Sequence, residues 1–341
     1  MHAQTSTTNI KRDPADNTLT LSSLSKEKDS ETLTPPKTEI ARIKNALWKI
    51  QTARRISLLI CFILFNATVL GVGPWPILLP VYHTLGTPMK TIGDAFAALQ
   101  NLLFQAIIPW IPLAAFLLTG IIIGRALCGW ACPFGFIQEL LGYIKRKQTE
   151  LSPRTHQDMI KVKYAILGIT LFLSTTLAAS LAAGTGQGYR DALGLFAPAP
   201  FNVLGPADTL FAIIPKIVFD ATYSGFDTFA DTIVSAHLIL WIRLTVMTLV
   251  LIFSVYIPRG WCRYLCPHGA LLALIGKFSF LGLKRDPVKC TKAGCRTCVE
   301  ACPMNVPILE LPWKKFTDAE CIYCLKCVDA CETKAIRPKF P

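Results

Sequence analysis

The sequence is short of charge. Only 17% of its 341 residues are charged while 52% are hydrophobic, too apolar for an ordinary soluble domain and indicative of a membrane protein. Acidic residues are the scarcer sign, 22 against 35 Lys and Arg, for a formal net charge of +13. In an apolar chain that excess reads as an orientation signal in the loops rather than as a nucleic-acid surface. No nucleotide fingerprint, catalytic triad or phosphate loop is present. Side-chain acid–base catalysis on a triad, and chemistry on a bound nucleotide, are therefore not expected. The first 40 residues have almost no aromatic content and no apolar h-region. They read as a disordered cytoplasmic tail, residues 1–45, with no cleavable signal peptide.

Long apolar runs are plentiful. Four approach the roughly 20 residues that span a bilayer, near 56–73, 103–124, 162–184 and 236–257. A weaker stretch, 208–219, is interrupted by Pro215 and Lys216 and reads as interfacial or re-entrant. Lys and Arg crowd three of the connecting segments: Arg54 and Arg55 before the first run, Arg125 and Lys145 to Lys163 after the second, Arg259 to Arg285 after the fourth. The other two loops are poor in both. This alternation expects four transmembrane helices with both termini on the cytoplasmic side.

Cysteine is abundant, and twelve of the 13 fall into four tight groups. A secreted disulfide scaffold would be short and polar with scattered cysteines, so metal or cluster ligation is the better reading. Two groups repeat one phrase: CGWACPFG at 128–135 returns as CRYLCPHG at 262–269. Each has an arginine three residues before its first cysteine, Arg125 and Arg259, and each follows an apolar run. The spacing expects two parallel repeats related by an axis along the membrane normal. If the phrase is helical, i and i+4 place both thiols on one face. Cys128, Cys132, Cys262 and Cys266 would then offer four soft thiolates for an iron–sulfur cluster, Cu(I) or zinc, or form a redox disulfide. Arg125 and Arg259 either stabilise thiolates or mark the inner boundary, and Trp130 and Trp261 read as interface anchors.

The other two groups lie in the last 58 residues, 284–341, which are short, charged and cysteine-dense. They are Cys290, Cys295, Cys298 and Cys302, then Cys321, Cys324, Cys327 and Cys331. A C-x2-C-x2-C-x3-C run gives three thiolates to one [4Fe–4S] cube and its fourth to a neighbour. Cys321, Cys324, Cys327 and Cys302 are therefore assigned to one cluster, and Cys290, Cys295, Cys298 and Cys331 to the other. Zinc also takes four thiolates, but zinc ribbons use isolated CxxC pairs. The first run has four residues between Cys290 and Cys295, a longer loop, and Glu332 stands where proline often follows the last cysteine. His237 and Arg243 lie within the fourth apolar run and are candidates for holding a quinone head group.

These residues resemble the NapH/MauN group of membrane polyferredoxins, over about residues 50–341, with a related core in NosR and CcoG. NosR-type proteins add a flavin-binding domain and CcoG-type proteins a C-terminal domain, and neither is expected here. The resemblance implies an α-helical integral membrane protein of the bacterial inner membrane. Its four-helix domain, 46–283, would carry both CxxxCP phrases, and a small α+β dicluster ferredoxin-like domain would follow at 284–341. It implies a quinol dehydrogenase-type electron-transfer subunit between the quinone pool and other redox subunits. Its CcoG-like members imply the alternative, copper handling in metalloenzyme maturation.

Overall fold

In the computed structural model the described residues are 37–66, 78–80, 93–145, 152–218, 238–290 and 294–340. The chain divides into two units between Asn45 and Ala46, and every candidate site belongs to Ala46–Pro341. Among the described residues the main helices are α1 (Lys37–Phe65), α2 (Ala95–Phe104), α3 (Trp110–Ile123), α4 (Ala126–Trp130), α5 (Pro133–Leu141), α6 (Pro153–Ala182), α7 (Gln187–Leu193) and α8 (Leu238–Tyr256). Two more, α9 (Gly260–Tyr264) and α10 (Pro267–Gly276), follow directly. Strand β3 (Gly282–Arg285) then pairs antiparallel with β4 (Ile336–Lys339), Gly282 opposite Lys339 and Arg285 opposite Ile336. Between them lie two short helices packed on each other, α11 (Thr297–Glu300) and α12 (Lys326–Ala330). A two-residue parallel pair, β1 (Leu78–Leu79) and β2 (Gly93–Asp94), leads into α2.

The repeated phrase folds the same way twice. In each copy a short helix, α4 or α9, ends two positions before the second cysteine, and proline opens the next helix, α5 or α10. The expectation of two cysteines one turn apart on a single helix is therefore overturned. Proline has no N–H to give an interior helical bond and its fixed φ suits the first helical position, so the chain restarts there. Cys132 and Cys266 become the N-caps, their sulfurs accepting from Gly135 N at 3.4 Å and Gly269 N at 3.3 Å.

Two of the four expected spans are present as helices long and apolar enough to cross a membrane, α6 and α8. Only 22% and 11% of their apolar windows are buried, so they are not core helices of a soluble fold. The second run, 103–124, is not one helix. Ala106 adopts φ 55°, and α3 restarts after Pro109 and runs 14 residues, about 21 Å at 1.5 Å per residue. The apolar half of α1 ends at Phe65, and the rest of the first run lies outside the described residues. In the 208–219 stretch, Thr209–Ile213 forms a π turn with Thr209, Phe211 and Ala212 buried.

The C-terminal cysteine segment sits directly on the helical part. A Cβ on Gly129 would lie 2.3 Å from Ile322 O, so only glycine permits that approach. Trp130 Nε1 donates to Tyr323 O at 2.9 Å, and Gln51 Nε2 to Cys324 O at 3.1 Å. The tryptophans are thus not interface anchors. Trp130 holds this segment, and Trp261 is buried edge-to-face against Phe134, with ring centroids 6.1 Å apart.

Candidate functional site

The four CxxxCP cysteines are all buried and within electrostatic reach of one another. Burial first, then the nearby Cys262 thiol, push Cys132 and Cys266 up. Loading a soft metal there must therefore release protons.

The two repeats are clasped crosswise. Arg125 Nη2 donates to Cys262 O at 3.2 Å, and Arg259 Nη1 donates to Cys128 O at 2.8 Å. Each arginine thus supports the first cysteine of the other copy. The glycine of CPxG makes room for it: a Cβ on Gly269 would fall 2.8 Å from Arg125 Nη2, and one on Gly135 would fall 3.4 Å from Arg259 Nη1. Gly269→Ala is accordingly expected to lose about 1–3 kcal/mol through overpacking. Gly135→Ala is expected to lose less. Denaturant unfolding of the two variants in detergent checks the order, and equal losses would sink this account of the glycines.

Both guanidiniums also reach a carboxylate. Arg125 Nη1 meets Glu320 Oε2 at 2.9 Å, and Lys163 shares that oxygen. Arg259 Nη2 meets Glu139 Oε2 at 3.0 Å, and Arg54 and Lys326 join the same carboxylate. Burial opposes ionisation of Glu139, but the Arg54 hydrogen bond and the charges of Arg259 and Lys326 outweigh it. Its carboxyl is held well below the usual carboxylate range. Arg125 and Arg259 are therefore buried parts of two ionic knots, neither of them boundary markers.

In the C-terminal segment Cys302, Cys321, Cys324 and Cys327 line one cavity, otherwise walled by apolar side chains such as Leu283, Met304, Ile308 and Phe316. Burial raises the thiol pKa of Cys302, Cys321 and Cys327, and neighbouring thiols add to it. Cys298 is within reach of Cys331 and Cys295, and Cys295 is exposed. Cys290 is half-buried and donates its N–H to Asp286 O at 3.1 Å; residues 291–293 beside it lie outside the described residues. Among the described residues no three His, Cys, Asp or Glu converge as they would on a single metal ion.

His237 lies outside the described residues. Arg243 Nη1 faces Asp208 Oδ2 at 3.8 Å, so its charge is answered within the fold. Sequence reasoning passed over Gln138, Glu139 and Glu320, and also the buried pair of His268 Nε2 and Asp94 Oδ1 at 2.7 Å. Nothing in the local sequence marks these polar residues, because their partners lie on distant elements.

Comparison with known proteins agrees with this layout. The family described as "4Fe-4S binding domain" matches residues 105–149 and 239–286, stretches that start 134 residues apart. That offset is also the one between the two cysteine phrases. The family described as "4Fe-4S dicluster domain" matches 289–336. YccM of Escherichia coli, named for electron transport, is 26% identical over 248 residues, 69% of this chain and 59% of its own length. The methylamine utilization ferredoxin-type protein MauN of Methylobacillus flagellatus is 25% identical over 262 residues, 73% of this chain and 75% of its own. The ferredoxin-type protein NapH of Haemophilus influenzae is 24% identical over 222 residues, 62% and 61% respectively. The regulatory protein NosR of Pseudomonas aeruginosa is 27% identical over 205 residues, 59% of this chain and 22% of its own length. No solved structure matches.

The cysteine cavity and the two family matches mark stretches of 4Fe–4S binding and 4Fe–4S dicluster type in this chain. Among named proteins the chain is similar to the ferredoxin-type proteins MauN and NapH and to NosR. The chain covers less than two thirds of YccM and of NapH.

Proposed function

We propose that this chain is an inner-membrane electron carrier that relays electrons between the quinone pool and a partner redox enzyme. Four transmembrane helices in two parallel repeats would hold it, with both termini and the ferredoxin part cytoplasmic. Cys302, Cys321, Cys324 and Cys327 would hold one [4Fe–4S] cube, and Cys290, Cys295, Cys298 and Cys331 a second. Cys128, Cys132, Cys262 and Cys266 would hold a third centre. Bound cubes supply one-electron transfer at potentials set by their surroundings. The chain's own part is to bury the thiols, fix them on helix starts and keep the two inner sites together.

One observation carries this reading. The paired-cysteine site and the Cys302–Cys327 cavity are back to back: Gly129 touches the backbone at Ile322, and Arg259 feels both Cys262 and Cys324. A relay needs that adjacency, whereas an anchor with structural clusters does not. The ion pair of Arg243, on the apolar helix α8, with Asp208 is a buried polar spot that supports a quinone head group there.

The test is anaerobic. Chain purified in detergent is expected to carry about twelve irons, four per cube, and a quinol analogue is expected to reduce them by low-temperature EPR. Clusters that reduce with dithionite but stay oxidised with quinol would overturn the quinone partner. A second reading, copper handling, is favoured by the burial of four soft thiols at one place. It expects stoichiometric Cu(I), lost when Cys128, Cys132, Cys262 and Cys266 are all replaced.

A further inference from the structure

Gln138 is fully buried on α5 and both ends of its amide are committed. Oε1 accepts from Trp261 N at 3.1 Å and from Ser254 Oγ at 3.4 Å. A backbone N–H can only donate, so the amide orientation is fixed. Nε2 is therefore the end that faces the sulfur, donating to Cys262 Sγ at 3.2 Å and to Phe134 O at 3.4 Å.

This contact breaks the symmetry of the site. Cys132 and Cys266 receive matching backbone N–H bonds from Gly135 and Gly269. Cys262 receives an amide, while its counterpart Cys128 faces the Arg125 guanidinium. At the repeat offset, the position equivalent to Gln138 holds Leu272, which cannot donate. A buried amide, held from its other end and aimed at one sulfur of four, is a means of tuning rather than of ligation.

We infer that Gln138 sets the redox potential of the centre held by Cys128, Cys132, Cys262 and Cys266. The inference rests on the reading that these thiolates hold a third cube. A cube held by these thiolates would take up and give up one electron, with no bond formed or broken. The reduced cube is more negative, and its sulfurs accept hydrogen bonds more strongly. The Gln138 N–H therefore stabilises the reduced state and raises the potential. Gln138 is a positioning residue in this account, since it touches a ligand and not the irons.

The experiment is an EPR-monitored redox titration of the full chain in detergent, alongside an iron count. Gln138→Met keeps the bulk and loses the donor. The third centre is expected to become about tenfold harder to reduce at fixed potential, a fall of about 59 mV for a one-electron couple. The two ferredoxin clusters should not move. Ser254→Ala loosens the amide's other end without touching the donor and is expected to leave all potentials unchanged. If Gln138→Met loads too little iron to titrate, Gln138→Asn, which withdraws the amide by one methylene, is expected to give the same downward shift. A third centre that titrates as in wild type overturns the inference while leaving the cube reading intact, and so does a Ser254→Ala shift as large as that of Gln138→Met. About eight irons and no third signal in the unmodified chain overturns the cube reading, and the inference with it.

Discussion

Glu320→Ala is expected to leave almost no folded, iron-loaded protein. The Glu320 carboxylate is the shared counter-charge of Arg125 and Lys163, whose side chains are 2% and 0% exposed. Tyr164 also donates to it, at 3.2 Å. Removing one partner of a buried ion pair costs about 3–5 kcal/mol, because a charge is left without compensation. Here two cations are stranded by one change. The loss is of the order of a domain's whole stability, about 5–15 kcal/mol. Burial opposes ionisation of Glu320, but Arg125 and then Lys163 prevail, and its folded pKa lies below its ordinary value. Its contribution is therefore complete at neutral pH and is lost as pH falls below the usual carboxylate range, about 4.3, toward the depressed value. Glu320→Gln keeps the shape and one oxygen that can still accept from Arg125 and Lys163, and is expected to be milder at pH 7. Yield, iron content and thermal unfolding in detergent decide it; a Glu320→Ala variant that melts like wild type would remove this knot from the account of the fold.

Cys302→Ser is expected to remove the same cluster as Cys324→Ser and to spare its sequence neighbours. Cys302 follows Cys298 by four positions, yet it lines the cavity of Cys321, Cys324 and Cys327. Cys298 in turn is within reach of Cys331, from the other run. About a third of the iron and one EPR signal should disappear in either variant, four irons of about twelve. Cys298→Ser should remove a different signal. If Cys302→Ser and Cys298→Ser abolished the same signal, each run would hold its own cluster and the crossed assignment would fail.

The crossed grouping was expected from the C-x2-C-x2-C-x3-C pattern, and Cys302 does share a cavity with Cys321, Cys324 and Cys327. The CxxxCP repeat was legible for a similar reason: Arg, Cys, Cys, Pro and Gly recur at fixed offsets, and each has a local task. The apolar helices α6 and α8 announce themselves by composition. What composition hides is where a run breaks. Residues 103–124 are apolar throughout, and only the positive φ at Ala106 and the restart after Pro109 divide them. The arginines show a further limit. Sequence marks Arg125 and Arg259 as special, but their targets, Cys262 O and Cys128 O, are 137 and 131 positions away. Trp130 looks like a membrane-interface residue until its indole N–H is seen to end on Tyr323 O.

The crosswise clasp also orders the making of the protein. Arg125 bonds to the backbone oxygens of Cys262 and Ala319 and to the Glu320 side chain. All of these emerge from the ribosome long after it does. The first copy of the phrase must therefore wait with its cation unanswered until the second copy, and then the C-terminal segment, have been synthesised. Neither half can mature its thiol site alone. Whatever those four thiols hold, the site is complete only on a finished chain.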